Sequence, residues 1–522
     1  MKQQILHLAS RGSTMVTLWP GLVSAAFCTG LAFLLYWWTA APGITWAHEA
    51  ADGAELLAAA MTNGVPHPPG YPLYTVLLQA WLTAGMWLAP GADLARLGNL
   101  LSAACSALGV GVTVLVTGRL LRAEKLRWLW ALLAGAAWAI SPLLWSQALV
   151  TEVYAFHTLL VALLGWVVLT RHGHGPLLVP VVACGVAHHL TFVLLLPAAV
   201  YYLWQLNGGQ VRALIRAAGV VAVGIALGLL FYIRTPLAAA GSGTPPPVNW
   251  GYADNWTGFW WLVSGAAYRG YLFAGSSSDL FGRVTTWAYT LTIQFTPVGL
   301  ALGLWGLAAW DHDRPALRNF SLLWVAPMSA YAIGYYTRDS EIYLLPVVWL
   351  AAIWVGVGLQ EAVTLLRTYW SRLPLAIVLG ALTTLALGIL LVVRLPELSL
   401  RDDHAAQEFV TAVAATIPPD ALVVSLADAE TFALWYGAWA SGELTQAAPD
   451  LILVNYSLYQ FDWYRRLLRR SHPQVVGDEQ TVEELLAVHA HRRPIYFSEP
   501  LSYVPAERLT PEGPIWRYSP PP

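Results

Sequence analysis

The chain has 522 residues, of which 57% are hydrophobic and only 11% are charged, and its formal net charge at pH 7 is −2. This composition, with 27 tryptophans and a mean hydropathy of +0.55, is typical of an integral membrane protein. No basic patch with interleaved aromatic residues is present, so nucleic acid is not expected as a partner. The three cysteines, Cys28, Cys105 and Cys184, all lie in apolar segments, so we expect neither a disulfide framework nor a zinc site.

The first apolar run, at 17–40, is predicted to be a membrane span. It is long and lacks an obvious small-residue cleavage site, which favours a retained span over a cleaved signal peptide. Lys2 and Arg11 precede it, and basic residues stay on the cytoplasmic side of a span. The N-terminus is therefore predicted to be cytoplasmic, and the polar segment after the span is predicted to lie outside.

This polar segment, at 41–93, is unusually rich in charge for the chain. His48, Asp52 and Glu55 are spaced so that they would share one face of a helix. His67 follows in the sequence His-Pro-Pro-Gly-Tyr-Pro, whose prolines end a helix and hold the backbone in a turn or extended form. A helix that presents carboxylates beside a rigid loop would form a site next to the membrane. The alternative is a solvated loop between spans with helix-capping acids.

Residues 72–89 are apolar but are not predicted to cross the membrane. The next long apolar run, 95–118, ends in the most basic short loop of the chain, at 119–127. If that loop is cytoplasmic, the run before it enters from outside, and 72–89 must begin and end outside. We therefore predict a helix that lies in the outer membrane interface or dips into it.

The remaining apolar runs alternate across the membrane. Residues 177–205 are long enough for one tilted helix, but His188 and His189 in the middle indicate two short legs that meet at the outer side. A long loop at 234–283 is also predicted outside. Further spans are predicted at 128–146, 153–170, 212–232, 285–310, 318–336, 342–364 and 374–394, and inner turns contain Arg171, Arg212, Arg216, Asp311, Arg367 and Arg372. Counting both legs gives eleven spans, which places the C-terminus outside.

From about residue 396 the composition becomes that of a soluble α/β unit. Buried-strand patterns at 421–426, 451–456 and 494–497 alternate with helical stretches near 428–440, 462–470 and 481–490. This alternation predicts a small, mostly parallel sheet. Two domains are thus predicted: a transmembrane domain at 1–395 with outer loops 41–93 and 234–283, and an extracytoplasmic α/β domain at 396–522.

Several motifs occur in order over most of the chain. They are Asp52-Gly-Ala-Glu55, His67-Pro-Pro-Gly-Tyr-Pro, Trp145-Ser-Gln with Glu152-Val-Tyr, His188-His189-Leu-Thr, Asn249-Trp250-Gly, Tyr268-Arg269-Gly-Tyr-Leu-Phe, Asp339 through Pro346, and Asp428 through Tyr436. This combination resembles the DUF2723 proteins, glycosyltransferase family 117, which includes a transmembrane type of protein O-mannosyltransferase. The order of span, acidic outer loop, juxtamembrane helices and basic inner loop resembles the wider GT-C superfamily. The family usually has Ser-Gly where this chain has Gly53-Ala54, and we expect little effect because all are small residues.

The resemblance implies a GT-C-like polytopic α-helical protein in the cell (inner) membrane. It implies transfer of a sugar, mannose by family analogy, from a polyprenyl-phosphate donor to a hydroxyl of a protein or glycan acceptor on the outer face. A hydroxyl that attacks an anomeric carbon needs a base, and we choose Asp52, with Glu55 orienting it, contacting the acceptor or facing water. A single displacement of this kind would invert the anomeric centre.

The lipid phosphate that leaves needs cations or hydrogen-bond donors around it. The candidate residues for the phosphate or the substrate are His67, His188, His189, Arg234, Tyr268, Arg269, Glu152 and Asp339. Each has a structural alternative: Arg269 could snorkel or pair with Asp279, the two histidines could cap a helix break, and His67 could only hold its loop. Glu152 and Asp339 could likewise be structural groups of the outer face.

Two further alternatives concern the whole site. His48, Asp52 and Glu55 could together bind a divalent cation, but the GT-C O-mannosyltransferases that this chain resembles work without one, so no cofactor is expected. A transporter or flippase for lipid-linked sugars would also carry polar residues within the membrane, although it usually shows paired interrupted helices in two halves. A non-catalytic envelope assembly protein would need no acidic cluster.

Overall fold

The structure is a computed structural model that describes residues 2–170, 175–370, 374–502 and 504–520. The predicted inner positions of Arg171 and Arg372 lie outside these residues. The membrane domain consists of α1 (Lys2–Thr39), α2 (Asp52–Met61), α3 (Pro72–Leu88), α4 (Leu94–Leu120), α5 (Arg127–Ala139), α6 (Pro142–Ala148), α7 (Val153–Thr170), α8 (Gly175–His188), α9 (Leu196–Leu206), α10 (Val211–Leu230), α11 (Arg234–Ala240), α12 (Trp256–Val263), α13 (Ser277–Asp313), α14 (Pro315–Gly334), α15 (Leu345–Tyr369) and α16 (Leu375–Leu398). Short 3₁₀ helices connect them at Ala47–Glu49, Leu190–Leu195, Phe231–Ile233, Trp250–Tyr252, Ala266–Tyr271 and Ser340–Leu344.

Each predicted span coincides with one of these helices or, at 128–146, with the pair α5 and α6, but fewer than eleven are long and apolar enough to cross a membrane. In the described part of the chain, seven helices meet that criterion, or eight if α5 and α6, bent by 65° at Ser141, are taken as one broken span. The two legs α8 and α9 are shorter apolar helices, and they are separated after His188 as predicted. Helix α14 is the remaining predicted span that does not meet the criterion.

The ends of the helices lie on two opposite faces of the membrane domain. On one face, the end of α1 meets the start of the C-terminal domain, where the Leu400 amide donates to the Thr39 carbonyl at 2.8 Å. Helix α4 begins on this same face, because the Arg96 guanidinium donates to the Ala40 carbonyl at 2.8 Å. Helix α3 also begins here, directly after the loop that carries His67. The starts of α3 and of the helix that follows it are thus on one face, and the position of α3 in the outer membrane interface stays a prediction.

The opposite face carries the basic loop. Arg122 forms an ion pair with Glu361 near the end of α15, at 3.1 Å. Arg314, before α14, donates to the carbonyl of Leu120 at the end of α4. The basic loop at 119–127 and the C-terminal domain are therefore at opposite ends of the helices.

We expect single cysteines on these two faces to be labelled from opposite sides of the membrane. Ala123→Cys and Ser441→Cys both fall on exposed positions and would be made in a background that lacks the three natural cysteines. A membrane-impermeant maleimide should label position 441 on intact cells and position 123 only after permeabilisation, because the basic loop is predicted to be cytoplasmic. Labelling of both positions from the same side would contradict the predicted topology.

The C-terminal domain follows α16, which continues to Leu398, just past the predicted boundary at 395/396. Its helices are α17 (Ala405–Thr416), α18 (Asp428–Trp439), α19 (Glu443–Ala447), α20 (Tyr456–Tyr459), α21 (Asp462–Ser471) and α22 (Val482–His489), and its strands are β1 (Leu422–Ser425), β2 (Ile452–Asn455), β3 (Ile495–Phe497), β4 (Leu509–Glu512) and β5 (Ile515–Tyr518). The sheet order is β2-β1-β3-β5-β4. The three predicted strands form its parallel half, and the antiparallel hairpin of β4 and β5 was not predicted.

The C-terminal domain is fixed to both outer loops. From the first loop, the Trp46 indole N–H donates to the Ala429 carbonyl of α18 at 3.0 Å. From the second, Trp261 packs against Trp463 with ring centroids 5.2 Å apart, and Asp254 pairs with Arg466 at 2.9 Å. Aromatic pairs of this kind stabilise a contact beyond the area they bury. The first turn of α18 is thereby held against the end of the membrane domain that carries these two loops.

Candidate active site

A cavity of about 930 Å³ opens where the membrane domain meets the C-terminal domain. Its walls come from the start of α2, the loop after α2, the 3₁₀ helix Ala266–Tyr271, the segment between α14 and α15, and the first turn of α18. Of the ten predicted site residues, six line it: Asp52, His67, His189, Tyr268, Arg269 and Asp339. The other four, Glu55, Glu152, His188 and Arg234, are not on its walls. The structure therefore brings together residues that are almost 300 positions apart in the sequence.

Asp52 is the first residue of α2, where a carboxylate interacts favourably with the helix dipole. Its side chain is 41% exposed, and this exposed part faces the cavity. Burial in the cavity wall raises the pKa of Asp52 to about 6; the charge of His67 opposes this shift, and Glu55 adds to it. Asp52 is therefore mainly ionised at neutral pH and can accept a proton there.

Glu55 lies one turn later on α2 and is fully buried. Both of its oxygens contact His67: the His67 backbone N–H donates to Oε1 at 2.8 Å, and His67 Nδ1 lies 2.5 Å from Oε2. The other ring nitrogen of His67, Nε2, lies 3.4 Å from Asp52. Glu55 therefore stands behind His67 and reaches neither bulk water nor the cavity, whereas His67 bridges the two carboxylates.

The loop around His67 is held by a second outer segment. The Val65 amide donates to the Val248 carbonyl at 2.9 Å, and the Trp250 amide donates to the Val65 carbonyl at 3.0 Å. The Trp250 ring also stands edge-on to the His67 ring. Burial alone would lower the pKa of His67, but the carboxylates of Asp52 and Glu55 outweigh it and raise the pKa to about 10. The two carboxylates at its ring nitrogens thus favour the protonated form of His67.

The close packing of α2 also explains the local sequence. A Cβ atom on Gly53 would lie 2.5 Å from the Thr151 carbonyl oxygen, a backbone atom that cannot move aside cheaply. The serine that the family usually has at this position therefore does not fit here without a shift of the backbone. The space beside Gly53 is closed by Thr151, and the expectation that Gly53-Ala54 has little effect stays a prediction.

The predicted helical face of His48, Asp52 and Glu55 is also wrong. Helix α2 begins only at Asp52, and His48 sits in a separate 3₁₀ turn with a left-handed backbone (φ 59°). Its Nε2 donates to the Leu398 carbonyl at 3.0 Å, whereas Asp52 and Glu55 both contact His67. Within the described ranges, no group of three or more His, Cys, Asp or Glu side chains is arranged to hold a metal ion.

The two adjacent histidines have different surroundings. His189 lines the cavity, and its Nδ1 accepts from the Thr191 backbone N–H at 3.2 Å, which caps the 3₁₀ helix that follows. His188 is completely buried and donates from Nε2 to the Val153 carbonyl at 2.9 Å. The capping alternative therefore describes the contacts of His189, and His188 connects α8 to the start of α7.

Arg234 and Glu152 are near the site but do not face the cavity. Arg234 donates to the Asn63 side chain at 2.7 Å, so it supports the loop that carries His67. Glu152 is buried, and one of its oxygens accepts from the Val153 amide at 3.2 Å. Burial raises the pKa of Glu152 well above its ordinary value, with the Asp52 charge acting in the same direction. The prediction that Arg234 and Glu152 contact a substrate has no support in their positions.

Arg269 lines the cavity without a carboxylate partner among the residues that the structure describes. Its guanidinium donates to the carbonyl oxygen of Ser264 at 3.4 Å and also to the hydroxyl of that residue. Asp279, the alternative partner, instead accepts from Ser276 in a capping box that starts α13. A second arginine on the wall, Arg338, is paired with Glu49 at 3.0 Å. The guanidinium of Arg269 is therefore available to an anion in the cavity.

Sequence reasoning missed two groups on the cavity wall. The first is a set of tyrosines beside the predicted Tyr268: Tyr71, Tyr154, Tyr271, Tyr331, Tyr335, Tyr336 and Tyr343. Four of them fall at 331–343, around the predicted Asp339. This local concentration of tyrosines is the sequence signal that could have indicated them. The second group is Asp428 and Phe432 from α18. Burial raises the pKa of Asp428 to about 6, and the Asp52 charge adds to the shift.

The cavity thus combines three chemical functions. Asp52 supplies an ionisable carboxylate that can accept a proton, Arg269 supplies a cation for an anionic group, and the tyrosines supply ring faces and hydroxyls. Cavities with a few convergent polar groups and perturbed pKa values are the usual form of a ligand or active site.

Comparison with known proteins supports the fold and points to a family. Residues 52–210 match the family model described as "Protein O-mannosyl-transferase TMEM260 N-terminal domain". The chain is 22% identical to the mouse (Mus musculus) Protein O-mannosyl-transferase TMEM260 over 454 residues, which are 81% of this chain and 62% of that protein. The chain therefore spans about three fifths of the length of the curated relative that it matches.

Two crystal structures of ArnT from Cupriavidus metallidurans are also similar, both at 14% sequence identity. The undecaprenyl-phosphate-bound structure aligns with a TM-score of 0.54 over 91% of this chain and 92% of that chain. The apo structure aligns with a TM-score of 0.55 over 98% and 100%. The chain is thus a multi-pass membrane protein with a GT-C-like helical fold and a small C-terminal α/β domain. Its placement in DUF2723 stays a prediction.

Proposed function

We propose that the chain is a membrane glycosyltransferase of the cell (inner) membrane. It transfers a sugar, mannose by the family resemblance, from a polyprenyl phosphate to a hydroxyl of a protein or glycan on the extracytoplasmic face. The observation that carries this proposal is the cavity that contains both the Asp52 carboxylate and the Arg269 guanidinium, which has no carboxylate partner in the described part of the chain. The name of the mouse relative, an O-mannosyl-transferase, and the lipid phosphate in the ArnT structure support it.

Asp52 is the general base in this proposal. The acceptor hydroxyl oxygen forms a bond to the anomeric carbon while its proton passes to the Asp52 carboxylate. The bond between the anomeric carbon and the phosphate oxygen breaks, and its electron pair stays on the phosphate. Because the hydroxyl attacks from the side opposite the leaving group, the anomeric centre is inverted and no covalent sugar–enzyme intermediate forms.

Arg269 and its neighbours bind the donor. A guanidinium can hold a phosphate through two parallel hydrogen bonds and offset the charge that develops as the phosphate leaves. Tyr268 stands next to Arg269 on the same 3₁₀ helix, and His189 and Asp339 lie on the same cavity wall. The tyrosine rings offer apolar faces for the sugar, and their hydroxyls can hydrogen-bond to it.

The position of the cavity suits a substrate with a lipid tail. It lies at the ends of the membrane helices, so a polyprenyl chain can remain in the bilayer while its phosphate enters the site. The C-terminal domain closes the cavity from the aqueous side with Asp428 and Phe432. The acceptor would therefore enter between the two domains.

The test is radiolabel transfer by the purified protein from polyprenyl-phosphate sugars, offered one sugar at a time with a serine- and threonine-containing peptide. We expect transfer from one of them to a hydroxyl of the acceptor, with inversion at the anomeric carbon. If the protein instead moves lipid-linked sugar between the leaflets of liposomes without transferring it, the flippase alternative is correct. If it does neither, the enzyme proposal is wrong and the assembly-protein alternative remains.

We also expect transfer to be independent of divalent cations. Asp52 contacts His67, the Glu55 carboxylate is occupied by the same histidine, and His48 is bound to a carbonyl group. Transfer measured with EDTA should therefore equal transfer without it. Loss of activity with EDTA and recovery with Mn²⁺ or Mg²⁺ would instead show that a metal participates.

A further inference from the structure

The carboxylate of Glu55 has an unusual environment for an acidic group. It is fully buried, and both of its hydrogen bonds come from His67, at 2.8 and 2.5 Å. In the part of the chain that the structure describes, His67 is the only group that forms an ion pair with it. An ionised carboxylate without a cation is very unfavourable at a site without water. Glu55 therefore depends on a positive charge on His67.

His67 in turn has a carboxylate at each ring nitrogen. A neutral imidazole donates from one nitrogen only, whereas an imidazolium donates from both. If Nδ1 donates to Glu55 and the ring is neutral, the lone pair of Nε2 faces the Asp52 carboxylate, 3.4 Å away. Protonation of both nitrogens removes this repulsion. The raised pKa of His67 agrees with the geometry: burial lowers it, but the two carboxylates bring it to about 10.

The ring of His67 is also fixed in place. Tyr71 stands edge-on to it with ring centroids 5.2 Å apart, and Trp250 stands edge-on from another side at 6.3 Å. The backbone of the loop is bonded on both sides of Val65 to the segment at 248–250. The positive charge beside Asp52 therefore has a defined position.

From these contacts we propose that Glu55 and His67 are positioning residues for the base. The imidazolium of His67, held by buried Glu55, keeps Asp52 ionised and oriented toward the cavity, and neither Glu55 nor His67 accepts the proton of the acceptor. This inference rests on the proposed function, because it assigns a role relative to the base Asp52. It assigns the His-Pro-Pro loop to the control of that base.

The other titratable groups around Asp52 and His67 are the reason why Asp52 needs the positive charge of His67. The titratable groups that face Asp52 or His67 are the carboxyl groups of Glu55, Glu152, Asp339 and Asp428, the ring of His189, and the hydroxyls of Tyr71, Tyr268 and Tyr335. Burial raises the pKa of Asp52, His67 lowers it, and Glu55 and Asp339 raise it. His67 is the one influence in this set that favours the ionised base. Its removal should therefore raise the pKa of Asp52.

The pH dependence of transfer tests this role. In the unmutated protein the acidic limb of kcat against pH should lie near the Asp52 pKa of about 6. His67→Gln should move this limb to higher pH by about one to three units, the usual effect of losing an opposite charge at this distance. His67→Lys, which restores a cation, should move the limb back toward its original position. A His67 that only shaped its loop would lower kcat at all pH values and leave the limb in place.

A double-mutant cycle tests whether Glu55 acts through His67. Glu55→Gln should lower transfer about 10- to 100-fold in the unmutated background, a range typical of strongly coupled contacts. In the His67→Gln background the same change should have little further effect, because the group on which Glu55 acts is gone. Equal losses in both backgrounds would show that Glu55 acts independently of His67, which contradicts the proposal.

The matched control is His489→Gln. His489 is also buried and donates from Nε2 to a carbonyl, that of Val475, at 2.6 Å, but it lies in the C-terminal domain away from the cavity. This variant should keep the acidic limb of the unmutated protein. A folded His67→Gln protein whose limb also stays in place would overturn the proposal.

A measurement without turnover separates this inference from the proposed function. The carboxyl stretching band of Asp52, identified as the infrared band that disappears in Asp52→Asn, can be titrated in the protein without substrates. Its midpoint should rise in His67→Gln and return in His67→Lys. If no donor supports transfer but the midpoint moves in this way, only the proposed function fails. If transfer occurs and the midpoint does not move, only the present inference fails.

Discussion

Replacing Asp52 by asparagine is expected to lower sugar transfer by about 10²–10⁴-fold, the range that general-base catalysis contributes. The substitution keeps the shape of the side chain and an oxygen that can face His67, but an amide cannot accept the proton of the acceptor hydroxyl. Initial rates with a radiolabelled polyprenyl-phosphate sugar measure the loss. Donor binding, measured separately by competition with the unlabelled lipid phosphate, should survive because Arg269 is unchanged.

The control for this substitution is Asp402→Asn. The Asp402 side chain is 84% exposed and pairs with Arg401 outside the cavity, so its variant should transfer sugar at the unmutated rate. An Asp52→Asn protein that folds, binds donor and turns over normally would remove Asp52 from the mechanism. The carboxylates that remain on the described cavity wall, Asp339 and Asp428, would then be the next candidates. Glu55 would not, because it is buried behind His67.

As the proposed base, Asp52 should give sugar transfer by the unmutated protein a defined pH dependence. The pKa of Asp52 is raised by burial from its ordinary value of 3.8 to about 6. Only the ionised form accepts a proton, so transfer should increase as the pH rises through about 6 and then level off. Below that pH the carboxyl is protonated and transfer should be lost. In Asp52→Asn this limb should be absent from whatever slow transfer remains.

The membrane helices and the parallel strands were predictable because their signals are local. Long apolar runs, basic inner loops and the break at His188 are all visible in a short window of sequence, and each coincides with a described helix or helix end. The same holds for β1, β2 and β3, whose residues are nearly all apolar and buried on both faces. The hairpin of β4 and β5 was missed because its strands alternate irregularly and are partly exposed.

The site was predictable only in part, because its geometry depends on contacts that are distant in sequence. Helical spacing placed His48 with Asp52, but the left-handed backbone at His48 and Glu49 turns the chain before α2 begins. The burial of Glu55 follows from the return of the proline-rich loop over α2, where His67 covers it. No local pattern indicates such a return. This burial is the basis for the proposal that Glu55 supports the site from behind His67.

The contribution of the C-terminal domain to the site also depends on contacts that are distant in sequence. The strand and helix pattern predicts α18, but nothing in that pattern predicts that its first turn faces the cavity and places Asp428 there. That placement results from the packing of α18 against α2 and from the aromatic contacts of α21 with the second outer loop. The tyrosines at 331–343 are a similar case, because their ring contacts, such as Tyr331 with Tyr343 at 4.9 Å, form only when α14 packs against the 3₁₀ helix Ser340–Leu344.

Replacing Arg269 by alanine is expected to lower kcat/KM for the donor about 10- to 100-fold, since hydrogen bonds to a charged group contribute about 1.5–3 kcal/mol. The guanidinium lines the cavity, is held only by Ser264 among the described residues, and has no carboxylate to neutralise it. The kcat/KM of Arg269→Lys should lie between those of the unmutated protein and Arg269→Ala. Lysine keeps the charge but loses the planar fork that binds two phosphate oxygens. Transfer rates at several donor concentrations measure both variants.

Two comparisons show whether this loss comes from the phosphate. Arg401→Ala removes an outer-face arginine that stacks on Trp38 at 5.0 Å and lies outside the cavity, so it should leave the rate unchanged. Free undecaprenyl phosphate, which lacks the sugar, should inhibit the unmutated protein and should inhibit Arg269→Ala less strongly, because it shares only the phosphate and the lipid with the donor. The KM for the acceptor should not change in either arginine variant. If Arg269→Ala and Arg269→Lys both transfer sugar at the unmutated rate, Arg269 does not contact the phosphate, and Arg338 would be the arginine on the described cavity wall to test next.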